Sequence, residues 1–359
     1  MDCFFAQIET RDNPALAPLP VAVGGHCAGQ RRSVISACNY LARTFGVHSA
    51  MPVKTALQKC PALQVVPGRM AVYKSVSAQF MVILRRYSPC VEPLSLDEAY
   101  VDVSDCLLFE GSATRIAQDM RRAIHAELSL TASAGISSIK FIAKIASDLN
   151  KPNGQSVITP TMIPAFIAAL PLEKIPGVGK VTLKRLHDIG LVLGRDVTNK
   201  SLTYLQARFG KFGETLWARC HGNDPRQVEA NRIRKSVGIE RTFEYDIKEA
   251  DALWTILSTE LLPELARRAA PHFPERQIKT LAVKVKFNDF HQTTKQISFS
   301  TWDHQVFARL LPQALKRGKG KSVRLIGAVI RFAPPLNEKT AMSTPTSPQL
   351  SFSWDQDSP

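Results

Sequence analysis

Acidic residues are missing from a long part of this 359-residue sequence. Between Asp12 and Glu92 there are 79 residues without an Asp or Glu, and nine Lys and Arg occur among them. Residues 226–340 hold 21 basic and 12 acidic residues, whereas residues 92–225 hold 15 and 14. Two basic segments therefore flank a nearly neutral one, and the formal net charge is +15. This distribution favours nucleic acid as a partner ahead of an acidic membrane surface, although each basic segment alone is also compatible with a solvated face.

Long apolar runs and paired cysteines are also lacking. No stretch approaches the roughly 18 apolar residues of a membrane span, and Met1–Phe5 has no basic region ahead of an apolar core. We therefore expect a cytosolic protein without a membrane partner. The seven Cys are scattered and never in CxxC spacing, which predicts neither a disulfide framework nor a zinc site. The length suits two to four domains.

The only adjacent acidic pair of the chain, Asp97 and Glu98, lies in the neutral segment. The alternation that follows predicts a strand, and Leu94-Ser95-Leu96 predicts the bend of a hairpin. Neighbouring side chains of a strand point to opposite faces, so the two carboxylates can reach one ion only at a strand start. Two carboxylates with open positions suit magnesium, which takes further ligands from water and substrate phosphates. Taken alone, this spacing favours a purely structural role for an exposed Asp-Glu pair at a turn.

The order of predicted elements indicates an α+β protein of several domains. Residues 19–69 read as a small basic subdomain of short strands and helices. The following segment is predicted as a sheet with helices on one side. Its helices are expected at residues 70–88, 112–128 and 139–149, and a strand at 131–136; positions 139, 142, 145 and 149 share one apolar face.

Residues 160–224 are predicted as short helices separated by glycines. Ile175-Pro176-Gly177-Val178-Gly179-Lys180 is typical of a helix-hairpin-helix turn, with a weaker echo at residues 209–213. Glycines let backbone amides approach a phosphate closely without reading bases, which makes Gly177, Gly179 and Lys180 candidate DNA contacts. A tight interhelical turn is the alternative.

A polar linker at residues 223–233 precedes a predicted βαββαβ domain. Its strands are expected at residues 234–244, 277–288, 292–299 and 323–332, and its helices at 249–269 and 303–316. Residues 316–324 hold five cations and no acid, which makes them candidates for phosphate contact: Lys316, Arg317, Lys319, Lys321 and Arg324. The tail from Pro334 is rich in Pro, Ser and Thr and is expected to be disordered.

Four motifs in this order resemble bacterial Y-family DNA polymerases of the polymerase IV type. They are Asn39-Tyr40-Leu41-Ala42-Arg43-Thr44-Phe45-Gly46-Val47, Ser95-Leu96-Asp97-Glu98-Ala99-Tyr100, Ala143-Lys144-Ile145-Ala146-Ser147-Asp148 leading to Asn150-Lys151-Pro152-Asn153-Gly154, and Ile175-Pro176-Gly177-Val178-Gly179. The resemblance implies a right-hand polymerase with a ferredoxin-like palm, small fingers, a helix-hairpin-helix thumb and a little finger. The implied bounds are palm 1–3 and 69–158, fingers 4–68, thumb 159–225, linker 226–233, little finger 234–333 and tail 334–359.

The resemblance also implies the activity and the site residues. The expected enzyme is a DNA-directed DNA polymerase of low fidelity and low processivity that extends primers past lesions and mismatched ends without proofreading. Its partners are primer-template DNA and deoxynucleoside triphosphates, and its cofactor is magnesium, as two ions. Asp97 and Glu98 are implied as metal ligands and catalytic residues. The Met1 backbone carbonyl is implied as a further metal ligand. Tyr40, Arg43 and Lys151 match triphosphate contacts, and Phe5 matches the steric gate against a ribose 2′-hydroxyl.

One partner is suggested by the tail. Gln349-Leu350-Ser351-Phe352 resembles the short peptide that docks on the bacterial sliding clamp, the beta subunit of the replicase, with one terminal apolar residue missing. Gln349 would bond at the pocket rim, and Leu350 and Phe352 would supply apolar anchors. The protein itself is expected to be a monomer.

The N-terminus departs from the family pattern. Family members begin with a hydrophobic strand running into Asp-x-Asp-x-Phe-Phe, and the first Asp binds both metals; here Met1 takes the middle position and Asp2 the second Asp. Asp2 is two residues, or roughly 6.6 Å, from the missing carboxylate, which we expect to be too far for direct replacement. Either the chain begins at an internal Met of a longer polymerase, or it is a truncated, catalytically impaired DNA- and clamp-binding protein.

A third function class, a nucleotidyl cyclase, also uses an acidic pair on a palm-like sheet. The two basic segments and the helix-hairpin-helix turn argue against it, because a cyclase needs no groove for a long polyanion.

Overall fold

The computed structural model describes residues 1–25 and 32–334. The chain separates into two compact units, Met1–Arg232 and a second that begins at Ile233. Each unit has its own buried apolar cluster. Within the described ranges, no helix is both long and apolar enough to cross a membrane.

The first unit begins with a helix and a small three-stranded sheet. The strands are ordered β2-β1-β3, with β1 antiparallel to β2 and parallel to β3. Asn39 starts the second helix, because its side-chain oxygen accepts a hydrogen bond from the Ala42 amide at 2.9 Å. The elements are α1 (Phe4–Asp12), β1 (Val21–Gly24), β2 (Ile35–Cys38), α2 (Tyr40–Thr44), α3 (Val53–Lys59) and β3 (Gln64–Val66).

A second group of elements carries the acidic pair. They are α4 (Met70–Arg85), β4 (Val91–Pro93), β5 (Ala99–Val101), α5 (Ala113–Leu128), β6 (Ala134–Ser137), α6 (Lys140–Leu149) and β7 (Gln155–Ile158). The predicted hairpin is confirmed as the antiparallel β4–β5 pair. The predicted first helix ends three residues early, at Arg85, and β7 was not predicted. The predicted apolar face of α6 is buried at Ile142 and Ile145, but Leu149, which the same spacing places on that face, is 53% exposed at the C-terminal end of the helix.

The sheet of this group is divided into two ladders. β4 pairs with β5, and β6 pairs in parallel with β7. In the described part of the chain neither β5 nor β6 has a second partner strand. Residues of both strands line one open cleft of about 700 Å³. The single predicted sheet is therefore interrupted between β5 and β6.

Five short helices complete this unit: α7 (Ile163–Ala169), α8 (Lys180–His187), α9 (Gly194–Thr198), α10 (Leu202–Phe209) and α11 (Lys211–Cys220). They share a buried apolar cluster with α6. Gly213 allows α10 and α11 to approach closely, because a Cβ at this position would collide with the Leu205 carbonyl oxygen.

Charged groups fix the segment after α11 to the rest of the first unit. The Glu92 carboxylate, in a residue only 6% exposed, accepts hydrogen bonds from the Lys140 ammonium and from the Glu229 amide at 2.8 Å. Lys140 also donates to the Gln227 carbonyl at 2.7 Å. Burial acts to raise the pKa of Glu92, but the bonds from Glu229 and Lys140 outweigh it and hold the pKa below its usual value. The predicted linker is therefore bound to β4 and α6 as far as Glu229.

We expect Glu92→Ala to destabilise the first unit by about 3 kcal/mol, because Lys140 is left buried without its counter-charge. A carboxylate with a lowered pKa stabilises the fold above the unfolded pKa, about 4.3 for Glu, and this contribution is lost as the pH falls through the folded value. Denaturant melts of both proteins from neutral pH to about pH 3 should therefore converge on acidification.

The matched control for this prediction is Glu127→Ala, since Glu127 pairs with Arg86 at the surface and both side chains are more than 40% exposed. It should change the unfolding midpoint little at any pH. A stability difference for Glu92→Ala that is independent of pH would contradict the role given to the ion pair.

The second unit has the predicted βαββαβ order. Its elements are β8 (Ser236–Ile247), α12 (Ala250–Ile256), a π-helical turn (Leu257–Leu261), α13 (Leu262–Ala269), β9 (Ile278–Phe287), β10 (Gln292–Ser298), α14 (His304–Lys316) and β11 (Val323–Phe332). The four strands form one antiparallel sheet in the order β10-β9-β11-β8. Its buried cluster joins inward residues of the strands to apolar residues of the helices.

Short 3-10 helices connect elements in both units. They occur at Pro14–Leu16, Leu108–Gly111, Pro160–Met162, Leu172–Lys174 and Ala270–His272.

Candidate active site and nucleic-acid surfaces

Asp97 and Glu98 lie at the turn of the β4–β5 hairpin, immediately before β5. The Leu94 amide donates to the Glu98 carbonyl at 2.8 Å and closes the turn. The Ser95 hydroxyl donates to the Asp97 carboxylate at 2.8 Å, and the Lys144 ammonium binds the Glu98 carboxylate at 2.7 Å. The Glu98 side chain remains 38% exposed. Both acids therefore stand at the strand start that the sequence predicted, each oriented by one neighbour.

The Asp2 carboxylate is bound by hydrogen bonds within the protein. Asp2 is fully buried, and its carboxylate accepts hydrogen bonds from the Thr131 hydroxyl at 3.0 Å, the Ser133 hydroxyl at 2.7 Å and the Asn153 amide at 2.8 Å. Both carboxylate oxygens are occupied by these donors. The expectation that Asp2 does not replace a further metal ligand stays a prediction.

The open cleft described above gathers five of the relevant side chains or termini. It is lined by Met1, Asp97, Glu98, Lys144 and Lys151, among others. The Met1 ammonium donates to the Asp97 carbonyl at 2.7 Å, whereas the predicted role of the Met1 carbonyl stays a prediction. Lys151 pairs with Asp148 at 2.6 Å. The cleft therefore places two carboxylates and two lysines around one space.

The donor set of this cleft can be compared with what magnesium requires. Over residues 1–25 and 32–334, no group of three or more His, Cys, Asp or Glu side chains is arranged to hold a metal. Magnesium usually keeps several waters and is bound by one or two carboxylates together with substrate phosphates. Asp97 and Glu98 fit such a site for one ion, and a second ion would depend on ligands from a substrate.

Tyr40 carries a buried hydroxyl that has no hydrogen-bond partner among the described residues. Burial raises the pKa of this hydroxyl to about 12, so it remains a proton donor at neutral pH. The Arg43 guanidinium lies over the Tyr40 ring, 4.7 Å from its centroid. A buried donor without an acceptor is costly, and an anionic ligand would satisfy it. Tyr40 and Arg43 thus form a paired donor set, outside the group of residues that line the cleft.

The adjacent rings Phe4 and Phe5 take different environments. Phe4 is 3% exposed and belongs to the apolar core, whereas Phe5 is half-buried and stacks on Tyr73 with 4.1 Å between ring centroids. Phe4 is thus the ring that points into the core. Phe5 is therefore the one available for contact with a ligand.

The predicted helix-hairpin-helix turn has an open backbone. Gly177 has a φ of +91° and packs against the ring of Phe212, which belongs to the weaker second turn. Gly179 directly precedes α8, and a Cβ there would meet nothing within 4 Å. Lys180 is exposed, and Arg219 of α11 supports the turn by donating to the Pro176 carbonyl at 2.5 Å. Gly179 thus presents its backbone without side-chain obstruction, whereas Gly177 is covered on one side by the Phe212 ring.

The predicted cationic turn of the second unit lies at its surface. Lys316, Arg317, Lys319 and Lys321 are exposed, and Arg324 is half-buried. Lys321 pairs with Asp289 at 2.6 Å, and Arg317 donates to the Thr294 carbonyl at 3.2 Å. The clamp-binding prediction at Gln349, Leu350 and Phe352 lies outside the described residues.

Sequence reasoning missed three residues that orient or anchor the acidic hairpin: Ser95, Lys140 and Lys144. Ser95 and Lys144 stand within two of the quoted motifs, but neither was given a role of its own. The contact of Lys144 with Glu98 spans 46 positions of sequence. That separation left no local signal for the pairing itself.

Comparison with family models places three parts of this chain. Residues 1–148 match the impB/mucB/samB family, residues 234–334 match the C-terminal domain of that family, and residues 173–224 match the thumb domain described for DNA polymerase-iota.

Curated relatives are similar over nearly the whole length. DNA polymerase IV of Vibrio cholerae serotype O1 is 50% identical over 346 residues, which cover 96% of each chain. DNA polymerase IV of Yersinia enterocolitica is 50% identical over 359 residues, covering 99% of this chain and 98% of the relative.

Solved structures agree. A Y-family polymerase chimera of Dbh and Dpo4 superposes with a TM-score of 0.84 at 28% identity, covering 92% of this chain and 96% of the chimera. An insertion ternary complex of Dbh DNA polymerase gives a TM-score of 0.66 at 27% identity with the same coverage.

Proposed function

Because the chain belongs to the impB/mucB/samB family of Y-family DNA polymerases, we propose that it is a template-directed DNA polymerase acting through the Asp97–Glu98 hairpin. The observation that carries this proposal is the cleft where both carboxylates meet Lys144 and Lys151. The reaction is attack of a primer 3′-hydroxyl on the α-phosphate of a deoxynucleoside triphosphate. One P–O bond forms to the primer, and the bond to the leaving pyrophosphate breaks.

Asp97 and Glu98 would hold magnesium, which when bound lowers the pKa of the attacking hydroxyl and neutralises triphosphate charge. The chain's own groups do the positioning. Ser95 fixes one oxygen of Asp97, and Lys144 fixes one oxygen of Glu98. Lys151 lines the same cleft, and Arg43 and Tyr40, which lie outside its lining, would supply further donors for a triphosphate.

Further roles are part of the same proposal. Phe5 would exclude ribonucleotides, because a flat ring against the sugar collides with a 2′-hydroxyl. The proposed polymerase uses two magnesium ions and has low fidelity, low processivity and no proofreading. It works as a cytosolic monomer in DNA repair and the SOS response. Residues 349–352 are proposed to dock on the sliding clamp. A tether to the clamp would raise the local concentration of the polymerase at a primer end.

A DNA-binding protein with impaired catalysis is the second candidate function. The observation that favours it is the lack of a third metal-binding side chain near Asp97 and Glu98 within the described residues. A lesion-bypass assay distinguishes this candidate from the template-directed polymerase. A primer is annealed to an undamaged template or to one with a single abasic site, and extended with magnesium and all four nucleotides.

The proposed function predicts extension on the undamaged template and continuation past the abasic site. Arrest at the abasic site with normal extension elsewhere would contradict the translesion role. Binding of both DNAs without extension of either would support the second candidate.

The surface cations of the second unit should supply non-specific affinity. Replacement of Lys316, Arg317, Lys319 and Lys321 by Ala is expected to weaken primer-template binding and to flatten its log-log salt slope by about 0.9 for each phosphate that no longer has a cation beside it. Affinity measured over a series of salt concentrations gives the slope. The control is Lys248→Ala, a cation ahead of α12. An unchanged slope in the quadruple variant would show that these cations do not touch phosphate.

A further inference from the structure

The tip of the β9–β10 hairpin holds an aromatic residue in an unusual backbone conformation. The Phe287 amide donates to the His291 carbonyl at 2.8 Å, and the Phe290 amide donates to the Phe287 carbonyl at 3.0 Å. The loop therefore consists of Asn288, Asp289 and Phe290. In three-residue hairpin loops the last loop residue adopts the left-handed conformation, where glycine is preferred. Here the position is taken by Phe290, with a φ of +64°.

A phenylalanine at this position lowers the stability of the fold, and packing of its side chain does not compensate. A bulky side chain in the left-handed region is strained, and glycine would relieve the strain. Phe290 is 65% exposed, so burial of its ring does not offset the cost. Strain kept at an exposed position is a reason to look for a function.

One cation lies against the exposed ring, and the cationic turn adjoins it. The Arg324 guanidinium lies over the ring, 4.6 Å from the ring centroid. The Asn288 amide donates to the Ser322 carbonyl at 3.0 Å, which ties the hairpin tip to the cationic turn. Asp289 pairs with Lys321 of that turn. An aromatic face and the cationic turn, residues 316–324, thus share one edge of the second unit.

An exposed aromatic ring beside a cationic turn favours single-stranded over double-stranded nucleic acid. Bases within a duplex are already stacked on their neighbours, whereas an unpaired base has a free face. Sites for single-stranded nucleic acid combine a positive surface for the backbone with aromatic rings on which bases stack. We propose that Phe290, braced by Arg324, is a stacking platform for an unpaired base of single-stranded DNA. The proposal rests on the proposed function, since it takes DNA as the ligand.

The test compares two DNAs with the full-length chain. One is a blunt duplex, and the other is the same duplex with a single-stranded template extension that contains 2-aminopurine. In the wild type, the extension should tighten binding and its fluorescence should be quenched on stacking. Phe290→Gly should reduce the gain in affinity from the extension by about tenfold and abolish the quenching. Its melting temperature should be equal to or above that of the wild type, because glycine suits the left-handed position.

The matched control is Ile297→Ala on β10, an apolar residue 43% exposed in the same unit. It should keep the full gain from the extension. An unchanged gain in Phe290→Gly, or an equal loss of affinity for the blunt duplex, would overturn the stacking role while leaving the polymerase proposal intact. Failure of the wild type to bind either DNA would instead refute the proposed function, and the stacking platform with it.

Discussion

Replacement of Asp97 or Glu98 by Ala is expected to reduce nucleotide incorporation to below roughly 1% of the wild-type rate. Both carboxylates stand at a hairpin turn beside an open cleft and outside the apolar clusters of the fold. Their loss should therefore remove metal binding and leave the fold in place. Affinity for duplex DNA should change little, because we expect the basic surfaces, and not these carboxylates, to contact the phosphates. Single-turnover extension with magnesium and a binding titration on the same DNA measure the two effects.

Two further variants sharpen this result. Glu98→Gln keeps a hydrogen-bond acceptor for Lys144 but removes the charge, so it should be as inactive as Glu98→Ala. Glu110→Gln is the matched control, since the Glu110 side chain is 91% exposed and lies 3.6 Å from Arg115. It should retain full activity. Parallel loss of DNA binding and synthesis in the Asp97 or Glu98 variants would show that these carboxylates support the fold instead of the chemistry.

A strand added ahead of Met1 is expected to raise both stability and turnover. Among the described residues, the ladders β4–β5 and β6–β7 have unpaired edges on one cleft of about 700 Å³, and Met1 lies in that cleft. The Met1 nitrogen already donates to the Asp97 carbonyl, and a peptide N–H in its place retains one donor. A short strand of β-branched residues ending in Asp would supply edge pairing and a third carboxylate. We expect the melting temperature to rise by about 5 °C.

Two matched extensions separate the two contributions. The same strand ending in Asn should give the same melting temperature as the Asp form but no gain in turnover, because it lacks the carboxylate. A strand interrupted by two prolines should give neither, since proline cannot donate to a ladder. Equal turnover by the unextended chain and the Asp form would contradict the idea that a third carboxylate limits catalysis.

Local sequence patterns predicted the acidic hairpin and the βαββαβ unit. Alternation fixed β5, and turn residues fixed its start at Asp97 and Glu98, because both depend on neighbours in sequence. The family resemblance, confirmed by the comparisons, accounts for the overall polymerase fold. The apolar spacing placed Ile142 and Ile145 correctly on the buried face of α6, whereas Leu149 is exposed at the position where the helix ends.

Contacts between distant residues were not predictable from these patterns. The bonds from Thr131, Ser133 and Asn153 to Asp2 cross more than 120 positions, and each depends on how loops meet in the folded chain. The burial of the Tyr40 hydroxyl without a partner in the part of the chain that the structure describes, and the division of the sheet between β5 and β6 there, likewise emerge only from tertiary packing. Phe290 gave no signal in sequence, because its meaning lies in its φ and exposure.

The central claim is that this chain copies a DNA template at the Asp97–Glu98 hairpin. Single-nucleotide insertion on four primer-templates that differ only in the first unpaired template base tests it most directly. The account predicts that, with magnesium, each template selects its complementary deoxynucleotide, and that chelation of the metal stops the reaction. Insertion independent of the template base, or binding of all four DNAs with no insertion, would contradict it.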